Sequence, residues 1–92
     1  MEKQLILKVK TRDEIIFEGP VKSLTSFNDK GRFDILDRHA SFISLIYKSL
    51  IIRPLSGKVI VLDDIKDGLL RIVENKIDVY LNVKEALGDL NV

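Results

Sequence analysis

His39 is the only histidine in the chain, and it stands between Asp37 and Ser41 in a polar stretch. Those residue types could supply an orienting carboxylate, a base and a nucleophile. Side chains two apart in one loop seldom form such a relay, because its members normally come from distant segments that the fold brings together. An imidazole hydrogen-bonded to backbone or to a partner is the simpler reading. Asp63, Asp67, Gly68 and Glu74 fall at the first, fifth, sixth and twelfth places of a calcium-binding loop. The third place is Ile65, which has no side-chain oxygen, and the flanks alternate like strands where that motif needs helices. A solvated turn explains these carboxylates better, and no metal site is expected.

Cysteine and tryptophan are absent, so thiolate nucleophiles, disulfides and cysteine-ligated metals are excluded. There is no glycine-rich phosphate loop. Phe17, Phe27, Phe33, Phe42, Tyr47 and Tyr80 sit among aliphatics rather than cations, which is not the stacking platform that single-stranded nucleic acid needs. Fifteen Lys and Arg against 14 Asp and Glu give a net charge of +1, too balanced for a protein that grips a phosphate backbone. No catalytic, cofactor-binding or metal-binding residue is expected, and no nucleic-acid partner.

The elements that must position any binding surface are strands. The 92 residues suffice for a single core, and 46% are hydrophobic, mostly branched aliphatics that suit a pleated, half-buried surface. Leu5, Leu7 and Val9 alternate with Ile6, Lys8 and Lys10, the period of a strand. Further short strands are expected at Ile15–Val21, Leu24–Phe27, Phe33–Leu36, Phe42–Ile46, Leu50–Arg53, Val59–Leu62 and Leu70–Ile72, with a last one over Ile77, Val79 and Leu81. Gly19-Pro20 should mark an edge or a bulge, since proline has no N–H for the ladder. Asn28–Gly31, Asp37–His39, Pro54–Gly57, Asp63–Gly68 and Asn75-Lys76 read as turns or connections. Turn signals every 8–12 residues between eight to ten short strands predict an all-β sandwich or small barrel. The sandwich is expected over residues 1–83, with residues 84–92 as a short C-terminal tail. No apolar run approaches the roughly 18–20 residues that would cross a bilayer as a helix. The N-terminus lacks a cleavage site of the secretory kind, so a cytoplasmic chain is expected.

The stretch from Phe17 to Ser44 resembles the N-terminal domain of the epsilon subunit of F-type ATP synthases, called delta in mitochondria. The matching residues are Phe17, Gly19, Val21, Gly31, Phe33, Ile35, Leu36, His39 and Ala40. Downstream, Leu50–Arg53, Asp67–Ile72 and Asn75–Leu81 follow the family's later segments in order. Departures are Asp37-Arg38 where Pro-Gly is usual, Ser41 where Pro is frequent, and Arg32 where the family is often acidic. The resemblance implies a ten-stranded β-sandwich and a non-catalytic central-stalk subunit with no cofactor. It implies partners too: the gamma subunit on one face, and the ring of c subunits at the lower loops. Lys30, Gly31 and Arg32 would present a turn to the ring. His39, Ala40 and Phe42 would pack near gamma, with Asp37 and Arg38 as charges at the rim. Membrane contact would come only through the complex, at the cytoplasmic face. The chain ends about ten residues after its last expected strand, so the family's C-terminal helical hairpin, with the nucleotide binding that some members place there, is not expected. The alternative reading is a stand-alone β-sandwich that binds a peptide or small ligand and has no rotor.

Overall fold

The computed structural model describes residues 4–82. The strands are β1 (Leu5–Lys10), β2 (Ile15–Asn28), β3 (Gly31–Ile35), β4 (Phe42–Pro54), β5 (Ile60–Val73) and β6 (Lys76–Leu81). The expected all-β class holds, but the described residues form six strands rather than about ten. Three of them, at 13 or 14 residues, each do the work of two. Leu24–Phe27 is the second half of β2, Leu50–Arg53 is the second half of β4, and Asp63–Gly68 lies inside β5 rather than connecting two strands. Of the expected C-terminal tail, residues 84–92 lie outside the described residues, as does residue 83 at the expected sandwich boundary.

The sheet runs β1-β6-β5-β4-β2-β3, and β1 also pairs with β2, so the sheet closes on itself. Closure makes a flattened barrel with two curved faces. β2 is shared unevenly along its length. Val21 lies between Leu5 of β1 and Pro54 of β4, while Leu24 lies between Ile35 of β3 and Ile52 of β4. Thus β1 and β3 follow one another along the same edge of β2, with β4 on the other. The long strands bend where their register slips. In β4 and β5 the slips coincide: Lys48 takes φ 78 and pairs with Ile65, next to Asp64 at φ 59. A left-handed residue in each of two neighbouring strands turns both together, as bulges do at barrel corners.

Pro20 sits without cost. Its carbonyl accepts the Leu55 N–H at 3.0 Å, on the side away from β1. The backbone groups of one strand residue point to one side, so Pro20 has no N–H missing toward its β1 partner, Ile6. Ile6 in turn donates its N–H to the Asn75 carbonyl at 2.9 Å, away from β2.

The core is aliphatic. Leu5, Leu7 and Val9 of β1 meet Leu24, Ile35, Ile46, Leu50, Ile52, Leu70, Ile72, Ile77 and Val79, all nearly or wholly out of solvent. At roughly 1.5–3 kcal/mol for each fully buried side chain, this cluster is the main term opposing chain entropy. Buried polar groups are paired inside it: the Ser26 hydroxyl donates to the Ser49 carbonyl at 2.9 Å across the bend. Among the described residues every buried side-chain nitrogen or oxygen has a partner.

Gly68 lies where β4 and β6 close on β5. A Cβ there would stand 3.0 Å from Ile46 Cγ1, 3.2 Å from Leu81 Cδ2 and 3.3 Å from the Tyr80 carbonyl oxygen. The side-chain tips could yield, but the carbonyl belongs to the ladder. Gly68→Ala is therefore expected to destabilise by about 1–3 kcal/mol through overpacking. Thermal melts should show Tm falling by several degrees, and an unchanged or higher Tm would refute the tight contact.

Candidate partner-binding site

The turn expected to face a partner is a tight one. Asn28 pairs with Gly31 across Asp29-Lys30, and Gly31 takes φ 111, a conformation a side chain would strain. The Asn28 carboxamide oxygen accepts the Lys30 N–H at 2.9 Å, while its Nδ2 donates to the Ser44 hydroxyl at 3.2 Å. The turn is thus held locally and anchored to β4. Lys30 and Gly31 are exposed at its tip. Arg32 is exposed and its Nη2 lies 3.8 Å from the Asp34 carboxylate, so its charge is partly answered within β3. The Thr25 hydroxyl donates to that same carboxylate and accepts from Arg53 Nη1 at 3.1 Å.

Asp37, Arg38, His39 and Ala40 lie in the β3–β4 loop, and Phe42 opens β4. Arg38 takes φ 62, and its N–H donates to the Asn75 side-chain oxygen at 2.8 Å. Asn75, buried at φ 65 in the β5–β6 turn, therefore holds the loop through its side chain and the start of β1 through its carbonyl. His39 Nδ1 donates to the Ala40 carbonyl at 2.8 Å. Its ring stacks edge-on against Phe42 at 5.7 Å, and Phe42 meets Phe33 the same way at 5.5 Å. His39 is half-buried and engaged with backbone and aromatics rather than with a nucleophile. The structure does not gather these residues into one cluster. Lys30, Gly31 and Arg32 are at one end of β3, a strand about 13 Å long, and Asp37 to Ala40 follow its other end, while Phe42 packs back against Phe33 at the middle of the strand.

A surface that the sequence reading missed adjoins both groups. Ile43, Leu45 and Tyr47 project outward from β4, at 62%, 72% and 47% exposure. Leu45 is opposite Leu69, Leu69 is opposite Tyr80, and Tyr80 is opposite Lys10, whose ammonium lies 4.8 Å from the Tyr80 ring centroid. An apolar stripe thus crosses from β4 to β6 on the outer face. The next row carries opposite charges in alternation: Arg71 faces Asp78, Asp78 faces Lys8, and Lys8 faces Glu18. Such rows favour a single register. The signal was in the run FISLIY, apolar on both parities, where a strand with one wet face should alternate with polar residues.

Comparison with known proteins gives the surface a context. No protein-family model matches the chain. The ATP synthase epsilon chain of a Nitratiruptor species is 40% identical over 47 residues, 51% of this chain and 36% of that protein. The resemblance is to ATP synthase epsilon. In fold, the chain superposes on a chain of the Euglena gracilis mitochondrial ATP synthase, solved by cryo-EM as OSCP/F1/c-ring in rotational state 1. That match has a TM-score of 0.76 and 22% identity, covering 85% of this chain and 50% of the other. A chain of the Tetrahymena thermophila mitochondrial ATP synthase central stalk and c-ring gives a TM-score of 0.70 at 13% identity, covering 87% and 64%. The chain thus spans about half or less of the first of these relatives in each comparison. Among the described residues no helix is long and apolar enough to cross a membrane.

Removing the Asn75 side chain tests how the loop is held. Asn75→Ala deletes the acceptor for the Arg38 N–H and replaces a residue that tolerates φ 65 with one that tolerates it less. The expected cost is about 1–3 kcal/mol, with faster amide exchange at residues 38–40 than at the β4–β5 core. Exchange in the loop that matches wild type would show that the Asn75 bond does not position it.

Proposed function

We propose that this chain is a non-catalytic central-stalk subunit of an F-type ATP synthase. It binds the gamma subunit and the c ring and couples ion translocation to ATP synthesis. The observation that carries this reading is the outward apolar stripe of Ile43, Leu45, Tyr47, Leu69 and Tyr80 on a sandwich that resembles ATP synthase stalk chains. A contiguous apolar face that stays wet in the free chain is the usual mark of a surface covered by a partner.

In this reading the stripe lies against gamma. The Asp37–Phe42 loop runs straight into it, since Phe42 precedes Ile43. His39, Ala40 and Phe42 then extend the contact, with Asp37 and Arg38 as its charged rim. Lys30, Gly31 and Arg32, at the far end of β3, face the c ring. The mechanism is mechanical. A closed sheet around a close-packed core deforms little, so torque applied at the ring side is delivered at the gamma side. Membrane association comes through the complex, at the cytoplasmic face.

Leu45 is the most exposed apolar side chain of the stripe and contributes little to the fold, so Leu45→Glu should leave Tm unchanged. Binding to purified gamma subunit should weaken by roughly 2 kcal/mol or more, about thirtyfold in Kd. Full affinity in a calorimetric titration would remove the stripe from the gamma interface. Arg32→Glu should lower recovery of c subunits in pull-downs from source membranes at low salt while leaving gamma recovery intact. Unchanged recovery of both would take the β2–β3 turn off the ring.

A further inference from the structure

Among the described residues β3 pairs with β2 on one side only, and its other edge meets no strand. Edge strands of this kind are normally guarded against pairing, often by charge. The guard here has an unusual symmetry. On the outward face of β3, Arg32 and Asp34 flank Phe33, with side chains 58% and 50% exposed. From this arrangement we infer that β3 is a self-complementary edge, through which two copies of the free chain pair antiparallel about a two-fold axis at Phe33.

The register follows from the residues. An antiparallel pair centred on Phe33 sets Arg32 of one copy opposite Asp34 of the other, and Asp34 opposite Arg32, two opposite-charge pairs on one face. Gly31 then lies opposite Ile35, at the two ends of the strand. Centring on Arg32 would oppose two guanidinium groups, and centring on Asp34 two carboxylates, each disfavoured. Centring between residues would pair Arg32 with Phe33 and turn one sheet inside out. One register survives. Asp34 is also held in place for it, because its carboxylate takes the Thr25 hydroxyl, itself bonded to Arg53. A fixed carboxylate loses less freedom on pairing than a mobile one. Leu36, exposed just past the strand end, falls beside Lys30 of the other copy and is partly covered.

The contact is one short strand wide, below the area of stable dimers, so the association is weak and concentration-dependent. It does not rest on the rotor reading. It concerns the free chain, and a partner seated on the β2–β3 turn would compete with it.

The test is sedimentation equilibrium of the full chain at low salt. Average mass should rise with concentration from 10.5 kDa toward twice that value, and fall back as salt is added. Arg32→Glu sets a carboxylate opposite Asp34 twice per dimer and should weaken pairing about tenfold or more. Asp34→Lys should do the same, and the double variant Arg32→Glu/Asp34→Lys, with both signs exchanged, should regain wild-type association. Circular dichroism on each variant confirms that the fold is intact. Should Asp34→Lys unfold through loss of the Thr25 bond, N-methylation of the Arg32 amide, whose N–H lies on the edge away from β2, reads the same edge and should abolish pairing. A chain that stays monomeric up to its solubility limit overturns the inference. So does a dimer indifferent to Arg32→Glu, which would pair through another face.

Discussion

Everything in this molecule depends on β1 being used on both edges. It takes β2 antiparallel on one side and β6 parallel on the other, and in doing so closes a sheet that would otherwise end in two long open edges. Closure satisfies backbone groups that would otherwise stand open. It also places Leu5, Leu7 and Val9 at the centre of the aliphatic core. The Ile6 N–H reaches Asn75 because β1 lies beside β6, and Asn75 in turn holds Arg38. Barrel closure and placement of the β3–β4 loop are therefore one network, not two features.

The short strands were legible in the sequence and the long ones were not. Leu5, Leu7 and Val9, and again Ile77, Val79 and Leu81, alternate cleanly because each strand has one buried face throughout. β2, β4 and β5 pass from one curved face to the other. At the bend the side-chain parity slips and polar residues crowd in, as at Tyr47–Ser49 and Asp63–Gly68. Locally that looks like a turn. What separates a bulge from a turn is the partner strand, and Lys48 finds Ile65 only in three dimensions. Hence a count near ten where the described residues form six strands, with the all-β class unaffected.

The turn and the loop that carry the candidate residues were legible as local structure, and the outer apolar surface was not. The turn at Asn28–Gly31 and the loop at Asp37–His39 are local events written in local sequence. Their placement at opposite ends of β3 requires only that strand's length. The apolar stripe is different, since Leu45, Leu69 and Tyr80 come from three strands and meet only through two registers. No period along the chain marks it, although FISLIY shows that one strand is apolar on both faces.

The closing pair of the barrel has a bearing on when this chain can fold. β1 is made first, and its parallel neighbour β6 is the last strand described. Until residue 81 has cleared the ribosome, β1 lacks one of its two neighbours and half of its edge bonding. Partial folding of the nascent chain can assemble hairpins such as β2–β3 and β4–β5, but the core around Leu7 must wait. Non-local closure of this kind is slow compared with hairpin formation. The exposed edges of the waiting strands make that interval the point at which a growing chain is most open to misassembly.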